Sequence, residues 1–344
     1  MTRRCRLLLF AGSLCATLLG CAAAASAQDA KLIAAARKEG VVTWYVASIN
    51  ARSAEAAGRA FSAAFGPKVN VVSAPAPVMF QRLTQNLSQN AFNADVFSST
   101  DIGNFLTLKA QGALASYAPA NEAKLLPLLR GLDKDATFHA TVASVMVIAY
   151  NRDKLAAADV PKTWRDLTDD KWADKLVLAH PAFGVYAANW AVQIEKMYGK
   201  AYLKRLHELR TQIARSMPDA IAMVAAGQRM LTAAPAARVL EAADSGHPLA
   251  VQYPGDGAIM VATPSAILKT APHPNAARLF MEYLLSPEFG AILVQAHYAG
   301  RRDGVPLATD NKALSDIKVI RPTIDEMTKS VPQVTALWRA LFGQ

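Results

Sequence analysis

The chain has 344 residues, 52% of them hydrophobic and 19% charged, with a formal charge of +10. That balance excludes a disordered chain and leaves room for one large or two ordinary domains with a sizeable core. The charge is spread along the chain, which favours an anionic small ligand or an anionic membrane surface as partner and not nucleic acid.

The first residues read as an export signal. Arg3, Arg4 and Arg6 form a basic region, and residues 7–20 an apolar one too short to span a bilayer. Ala25-Ser26-Ala27 then offers the small-x-small pattern of a signal peptidase site, which makes 1–27 the signal peptide. Leu18-Leu19-Gly20-Cys21 also resembles a lipoprotein box, so lipidation at Cys21 is the alternative to soluble export. All three cysteines (Cys5, Cys15, Cys21) lie in this leader, so the mature chain has no disulfide, thiolate metal site or cysteine nucleophile. The leader holds three arginines and no acid, so 34 basic residues face 27 acidic ones beyond it, a charge of +7.

Beyond the leader, apolar runs and amphipathic stretches alternate, which predicts an α/β fold with a mainly parallel sheet. A helix over 32–38 precedes a strand over 41–48. An alanine-rich helix over 52–65 ends at Gly66-Pro67. A strand in "VNVVSA", a helix over 79–90, a strand in "ADVFSS" and a helix over 102–111 complete the first part, with Gly112 ending that last helix. The run over 141–155 is long, apolar and β-branched, long enough to cross from one lobe to another. It is followed by a turn-rich stretch with a short strand, where Trp164 and Trp172 read as packing residues, and by a helix over 185–197. A short helix over 220–226, strands in "RMLTAAP" and "LAVQYP" around a helix over 236–244, and a second long apolar run over 257–269 come next. Two helices follow, "NAARLFMEYLLS" and "PEFGAILVQAH", the latter with Pro287 in its first turn, and a helix over 331–342 closes the chain.

Two long strands bracketing a complete α/β unit imply two lobes. Residues 28–142 with 258–310 are expected to form lobe 1, 143–257 lobe 2, and 311–344 a C-terminal helical segment.

Five stretches now carry a resemblance: "AARKEGVVTWYVAS"; "ADVFSSTDIGNFLTLKAQGAL"; "IAYNRDKL" followed by "PKTWRDLTDDKWADKLVLAHPAFG"; "YPGDGAIMVATPSAILKTAPHPNAARLFMEYLLSPEFG"; and "AGRRDGV". In this order the chain resembles extracellular solute-binding proteins of ABC importers, of the two-lobed type II periplasmic fold, in the branch labelled Fe(3+)-type. The resemblance implies a periplasmic, anion-binding receptor without cofactor, monomeric, that closes its lobes on a small-molecule ligand and hands it to an inner-membrane ABC permease.

The resemblance also distributes the site. Ser98, Ser99, Thr100 and Asp101 are expected in the cleft wall as well as at a helix cap. Ser48 and Asn50, after the first strand, face the cleft by the same analogy. In "HPAFGVYAANW", the backbone of Ala182, Phe183 and Gly184 up to Tyr186 offers a helix N-terminus to a carboxylate, phosphate or phosphonate, with Tyr186 and Asn189 one turn apart. Thr232 and Arg238 fall where iron-binding relatives place metal ligands. Those relatives present two adjacent tyrosines there, and no Tyr-Tyr pair exists in this chain. Hard anionic oxygens are what ferric iron needs, so direct iron binding is disfavoured. Arg301, beside Arg302, either reaches an anionic ligand or faces solvent. The six histidines are scattered, without metal-ligand spacing. His180 borders the cleft in a plain polar role.

No nucleophile elbow, phosphate loop or zinc motif marks an enzyme, although Asp95, Asp101 and Asp256 could pair in space. Candidate ligands are an organic carboxylate, a phosphonate, a sugar phosphate or a metal chelate. The alternatives are a ferric iron-binding protein with non-tyrosine ligands and a ligand-sensing protein that partners a signalling receptor.

Overall fold

Short strands, each followed by a helix, make the first third a parallel wound unit whose edge strand over 68–73 stays half-exposed. In the computed structural model, which describes residues 30–343, this unit comprises α1 (30–39), β1 (Val41–Ala47), α2 (Ala51–Phe65), β2 (Lys68–Ser73), α3 (Ala76–Ser88), β3 (Val96–Ser99) and α4 (Ile102–Ala110). The signal peptide, its cleavage site and Cys21 lie outside the described residues. Strand β1 pairs in parallel with β2 on one side and β3 on the other. Helix α2 follows because Asn50 caps it, its Oδ1 accepting from the Ser53 N–H at 2.8 Å, and because Ala54, Ala57 and Phe61 give it a buried stripe.

The two long apolar runs are strands β4 (His139–Asn151) and, much later, β9 (Ala258–Ile267); every residue of both is buried. Between them lie β5 (Val177–Ala179), α5 (Val185–Tyr198), α6 (Lys200–Glu208), β6 (Gln212–Ala214), α7 (Met217–Ala225), β7 (Leu231–Pro235), α8 (Ala236–Asp244) and β8 (Leu249–Gln252). After β9 come α9 (Pro274–Leu284), α10 (Pro287–Gln295), β10 (Val319–Ile320), α11 (Ile324–Lys329) and α12 (Val331–Phe342). Elements α6, β6, β10 and α11 are not among those expected from the sequence.

The sheet is mixed, not mainly parallel. Its order is β2-β1-β3-β9-β4-β7, with β8 added to β4 and β10 to β9, while β5 and β6 form a separate parallel pair. The antiparallel pairings all involve the two long strands. Strand β9 runs against β3 at Ser265–Ile267 and against β4 at Ile259–Ser265. Strand β4 meets β9 with its first half, then β7 and β8 with its second half, from Met146 to Asn151. A strand that leaves one packing layer and a strand that returns to it must run oppositely, and this imposes the antiparallel centre.

Buried side chains form three clusters. One gathers Trp44, Phe61, Phe97, Phe105, Phe280 and Phe289 around β1, β3 and the first half of β4. A second gathers Trp164, Trp190, Leu203, Leu206 and Trp338, so the last helix packs on α5 and α6. A third holds Val177, Ile221, Val224, Val239 and Leu249. Trp164 and Trp172 are core residues, as expected, and the Trp164 indole also donates to the Gly257 carbonyl at 2.9 Å. At Gly257 a side chain is excluded twice: its φ is +132°, and a Cβ would stand 2.7 Å from Ile320 Cγ1, where β10 lies along β9.

Candidate functional site

Helices α3, α4, α5, α7 and α8 all begin at one cleft. Each start is set by local chemistry: Pro75 and Pro77 at α3, the Asp101 cap on α4, Gly184 before α5, the Ser216 cap on α7 and Pro235 before α8. The cleft holds two adjoining cavities of about 970 and 830 Å³ that share Ala76, Thr100, Tyr186, Met217 and Pro218. The first runs between α3 and α4 on one side and residues 179–189 on the other. The second lies beneath α7 and reaches Arg238 and His247. Converging helix N-termini give the space a positive potential without many charged side chains.

The structure gathers part of the expected set here. Thr100, Asp101, Ala182, Phe183, Gly184, Tyr186 and Asn189 line the first cavity, and Arg238 the second. Asp101 does both jobs the sequence allows: its Oδ1 accepts from the Gly103 N–H at 2.9 Å while the residue borders the cavity. Gly184 is extended, with open space where a Cβ would point, so it crowds nothing. Phe183 is 62% exposed on the rim. Asn189 is buried, and its Nδ2 has no hydrogen-bond partner among the described residues. His180 Nδ1 accepts from the Ala182 N–H at 3.1 Å, and its ring packs 5.1 Å from Phe183.

Other expected site residues stand elsewhere. Ser98 is fully buried. Its hydroxyl accepts from the Trp44 indole at 2.7 Å and meets Ser265 Oγ at 2.5 Å, which in turn meets Thr141 Oγ1 at 2.5 Å. This is a core network joining β1, β3, β4 and β9. Ser99 is equally buried, and its hydroxyl accepts from the Asp101 N–H and Asn104 Nδ2, both at 3.2 Å, so it serves the turn. Thr232 is buried in β7 opposite Ala149 and borders neither cavity.

Arg301 corrects both expectations made for it. It is 2% exposed, neither at the cleft nor in solvent. Its guanidinium donates to the Leu284 carbonyl at 2.7 Å and to Ser286 at 3.4 Å, while Arg302 donates to Leu285. Two cations thus satisfy the carbonyls that end α9, where the helix dipole favours positive charge. Burial, followed by the neighbouring Arg302, pushes the Arg301 pKa down to about 9, still charged at neutral pH.

Around Arg238 the polar groups form one chain. Arg238 Nη1 donates to Glu241 Oε2 and Asn50 Nδ2 donates to Glu241 Oε1, each at 3.0 Å. Nε and Nη2 of Arg238 have no protein partner among the described residues. Burial works against this charge, but Tyr298, Glu241 and Tyr186 outweigh it and hold the guanidinium above its usual pKa. The Tyr186 phenol is pushed up by burial despite Arg238, and the hydroxyls of Ser144 on β4 and Thr263 on β9 act on it in the opposite sense. Both hydroxyls are buried without a hydrogen-bond partner among the described residues. Ser48 Oγ, at the end of β1 next to Ala47 of the second cavity, is buried and has no hydrogen-bond partner among the described residues.

Sequence reasoning missed Ser144, Thr263, Tyr298 and the start of α7. The first two carried a readable signal, a hydroxyl inside an otherwise apolar strand; Ser216 before Met217-Pro218 was a readable cap. The carboxylates that could have paired do not: Asp95 accepts from Thr43 and His273 N–H groups at 2.7 Å, Asp101 caps α4, and Asp256 accepts from the Tyr198 hydroxyl. Among the described residues no group of three or more His, Cys, Asp or Glu is placed to hold a metal ion, and no helix is long and apolar enough to cross a membrane.

Comparison with known proteins places this cleft in context. Iron-bound HitA from Pseudomonas aeruginosa is 21% identical, with a TM-score of 0.72 over 88% of this chain and 99% of that one. The periplasmic binding protein AfuA from Actinobacillus pleuropneumoniae, with fructose-6-phosphate bound, is 19% identical, with a TM-score of 0.71 over 88% of this chain and 98% of that one. These likenesses establish the two-lobed type II periplasmic fold. A probable ABC transporter periplasmic-binding protein, y4fP of Sinorhizobium fredii, is 31% identical over 119 residues, 35% of this chain. The match spans about a third (32%) of that relative's length. The profile of a family described as bacterial extracellular solute-binding protein matches residues 93–330, well over half of the chain, and the chain belongs to that family.

Proposed function

We propose that the protein is the periplasmic receptor of an ABC importer, exported by its leader, and that it captures a small anionic solute without chemical conversion. One observation carries the reading: the Arg238 guanidinium, with Nε and Nη2 free of protein partners, faces a cleft walled by five helix N-termini. A carboxylate or phosphate oxygen is the natural complement of that donor set. Tyr186, Asn189, Thr100 and the backbone of 182–184 supply further donors within the same walls.

The lobe boundaries are part of the proposal. The first buried cluster with α9 and α10 makes lobe 1, the second and third clusters make lobe 2, and the long strands β4 and β9 enter both. Their middle, at Ser144 and Thr263, is then the hinge, and Tyr186 touches it. Within the C-terminal segment, α12 packs through Trp338 on lobe 2, while Ile324 and Met327 of α11 pack on the first cluster.

A thermal-shift screen of the chain from Gln28 onward tests the receptor reading, using carboxylates, phosphonates, sugar phosphates and ferric salts. A ligand at 100 times its Kd adds about 2.7 kcal/mol, several degrees of melting temperature. Expected is a rise with an anionic class that is lost in Arg238→Ala. A library in which nothing raises the melting temperature overturns the reading.

A further inference from the structure

The second cavity is chemically lopsided. Of its 14 lining residues, Arg238 and His247 alone carry basic side chains and none is acidic; Thr100 and Tyr186 add hydroxyls. The rest are alanine, proline, methionine and isoleucine, and half of them come from α7, which presents Met217, Pro218, Ile221, Ala222 and Ala225. These side chains carry no hydrogen-bonding group. A sugar phosphate or a citrate laid against them would bury hydroxyls or carboxylates without partners, at a loss for each. A desolvated metal ion would find no anionic oxygen on this wall.

Arg238 is the other half of the site. Glu241 holds Nη1, which leaves the Nε–Nη2 edge without a protein partner among the described residues. That edge matches a single planar carboxylate bidentately. Arg238 is the one guanidinium on this wall and Glu241 already offsets part of its charge, which disfavours a multiply charged anion.

We infer that the ligand is a monocarboxylate with an apolar body, aromatic or branched aliphatic. Its head meets Arg238 and Tyr186, and its body lies on the α7 face between Met217 and Ala225. The inference rests on the receptor reading and narrows it to one solute class.

Isothermal titration of the mature chain tests it, with phenylacetate, benzoate and 4-methylpentanoate against citrate, fructose 6-phosphate and ferric chloride. The expected result is saturable binding of one or more of the apolar acids, at least tenfold tighter than any of the polar probes. Ala222→Gln places an amide on the exposed apolar wall without touching the core, and should weaken the apolar acid at least tenfold while the melting temperature of the ligand-free protein holds. Arg238→Ala should weaken it at least as much. Tighter binding of citrate, the sugar phosphate or iron overturns the inference and leaves the receptor reading standing. Apolar-acid binding that Ala222→Gln leaves unchanged overturns it too, because the body then lies elsewhere. Failure of all six probes overturns the solute class, and only an empty result in the wider thermal-shift library removes the receptor reading as well.

Discussion

Arg238 and Arg301 carry the same charge in one chain and do opposite work. The first keeps part of its donor edge free in the cleft, and the second spends its donors on the end of α9. Replacing Arg301 by Met should therefore cost about 2–4 kcal/mol of stability, since it leaves buried carbonyls unsatisfied, while ligand affinity stays unchanged. Denaturant titration beside calorimetric binding checks this, and an affinity loss with full stability would return Arg301 to the cleft. Acid stability is also decided residue by residue. Burial alone would raise Asp133, yet Lys109 and Thr137 outweigh it and hold its carboxyl below the ordinary 3.8. Burial likewise opposes, and His139 overrides, at Glu122, held below 4.5. A depressed carboxyl binds fewer protons folded than unfolded, so its contribution is present above those ordinary values and is lost as pH falls through the folded pKa. The denaturant midpoint should fall as pH drops below about 4, and Asp133→Asn should flatten that slope.

At the scale of elements, the turn from β3 into α4 separates roles that adjacent hydroxyls disguise. Ser98→Ala should cost about 1–3 kcal/mol, because the buried Trp44 indole loses its acceptor, with binding unaffected. Asp101→Ala should cost about 1 kcal/mol through the lost cap, and should also shift affinity because the residue borders the cavity. Equal affinity losses in both variants would mean that Ser98 reaches the ligand. The same turn shows what was legible. Period and punctuation located α8 and α12 to the residue and both long strands to within a few residues. The expected set placed Thr100, Asp101, 182–184, Tyr186, Asn189 and Arg238 in the cleft. Ser48, Asn50, Ser98, Ser99, Thr232 and Arg301 border neither cavity: strand alternation and helix-end capping look alike in sequence whether a hydroxyl or guanidinium points into a cleft or into a core. The mixed sheet was hidden for a related reason: hydropathy records that β4 and β9 are buried, not which way they run.

At the scale of the molecule, helix α8 ties the proposed lobes together on one flank. Asn50 reaches Glu241 at 3.0 Å, and His297 Nε2 lies 2.6 Å from Asp244 Oδ2. His297 sits at φ +60°, an uncommon conformation for a non-glycine residue that brings its ring to α8. These bonds favour the conformation that makes them, so removing one shifts the population toward separated lobes. Asp244→Ala, at an exposed carboxylate away from the cleft, should raise the ligand-free radius of gyration in small-angle scattering and weaken ligand severalfold. An unchanged radius would show that α8 is no strap.

The exposed ring of Phe183 has one more consequence. It stands at the mouth of the cleft, in a chain with no cysteine after Cys21. A cysteine introduced at that position would be the sole thiol of the chain from Gln28 onward. An environment-sensitive dye attached there would report solvent exclusion as the mouth shuts, turning the receptor into an optical sensor for its own solute.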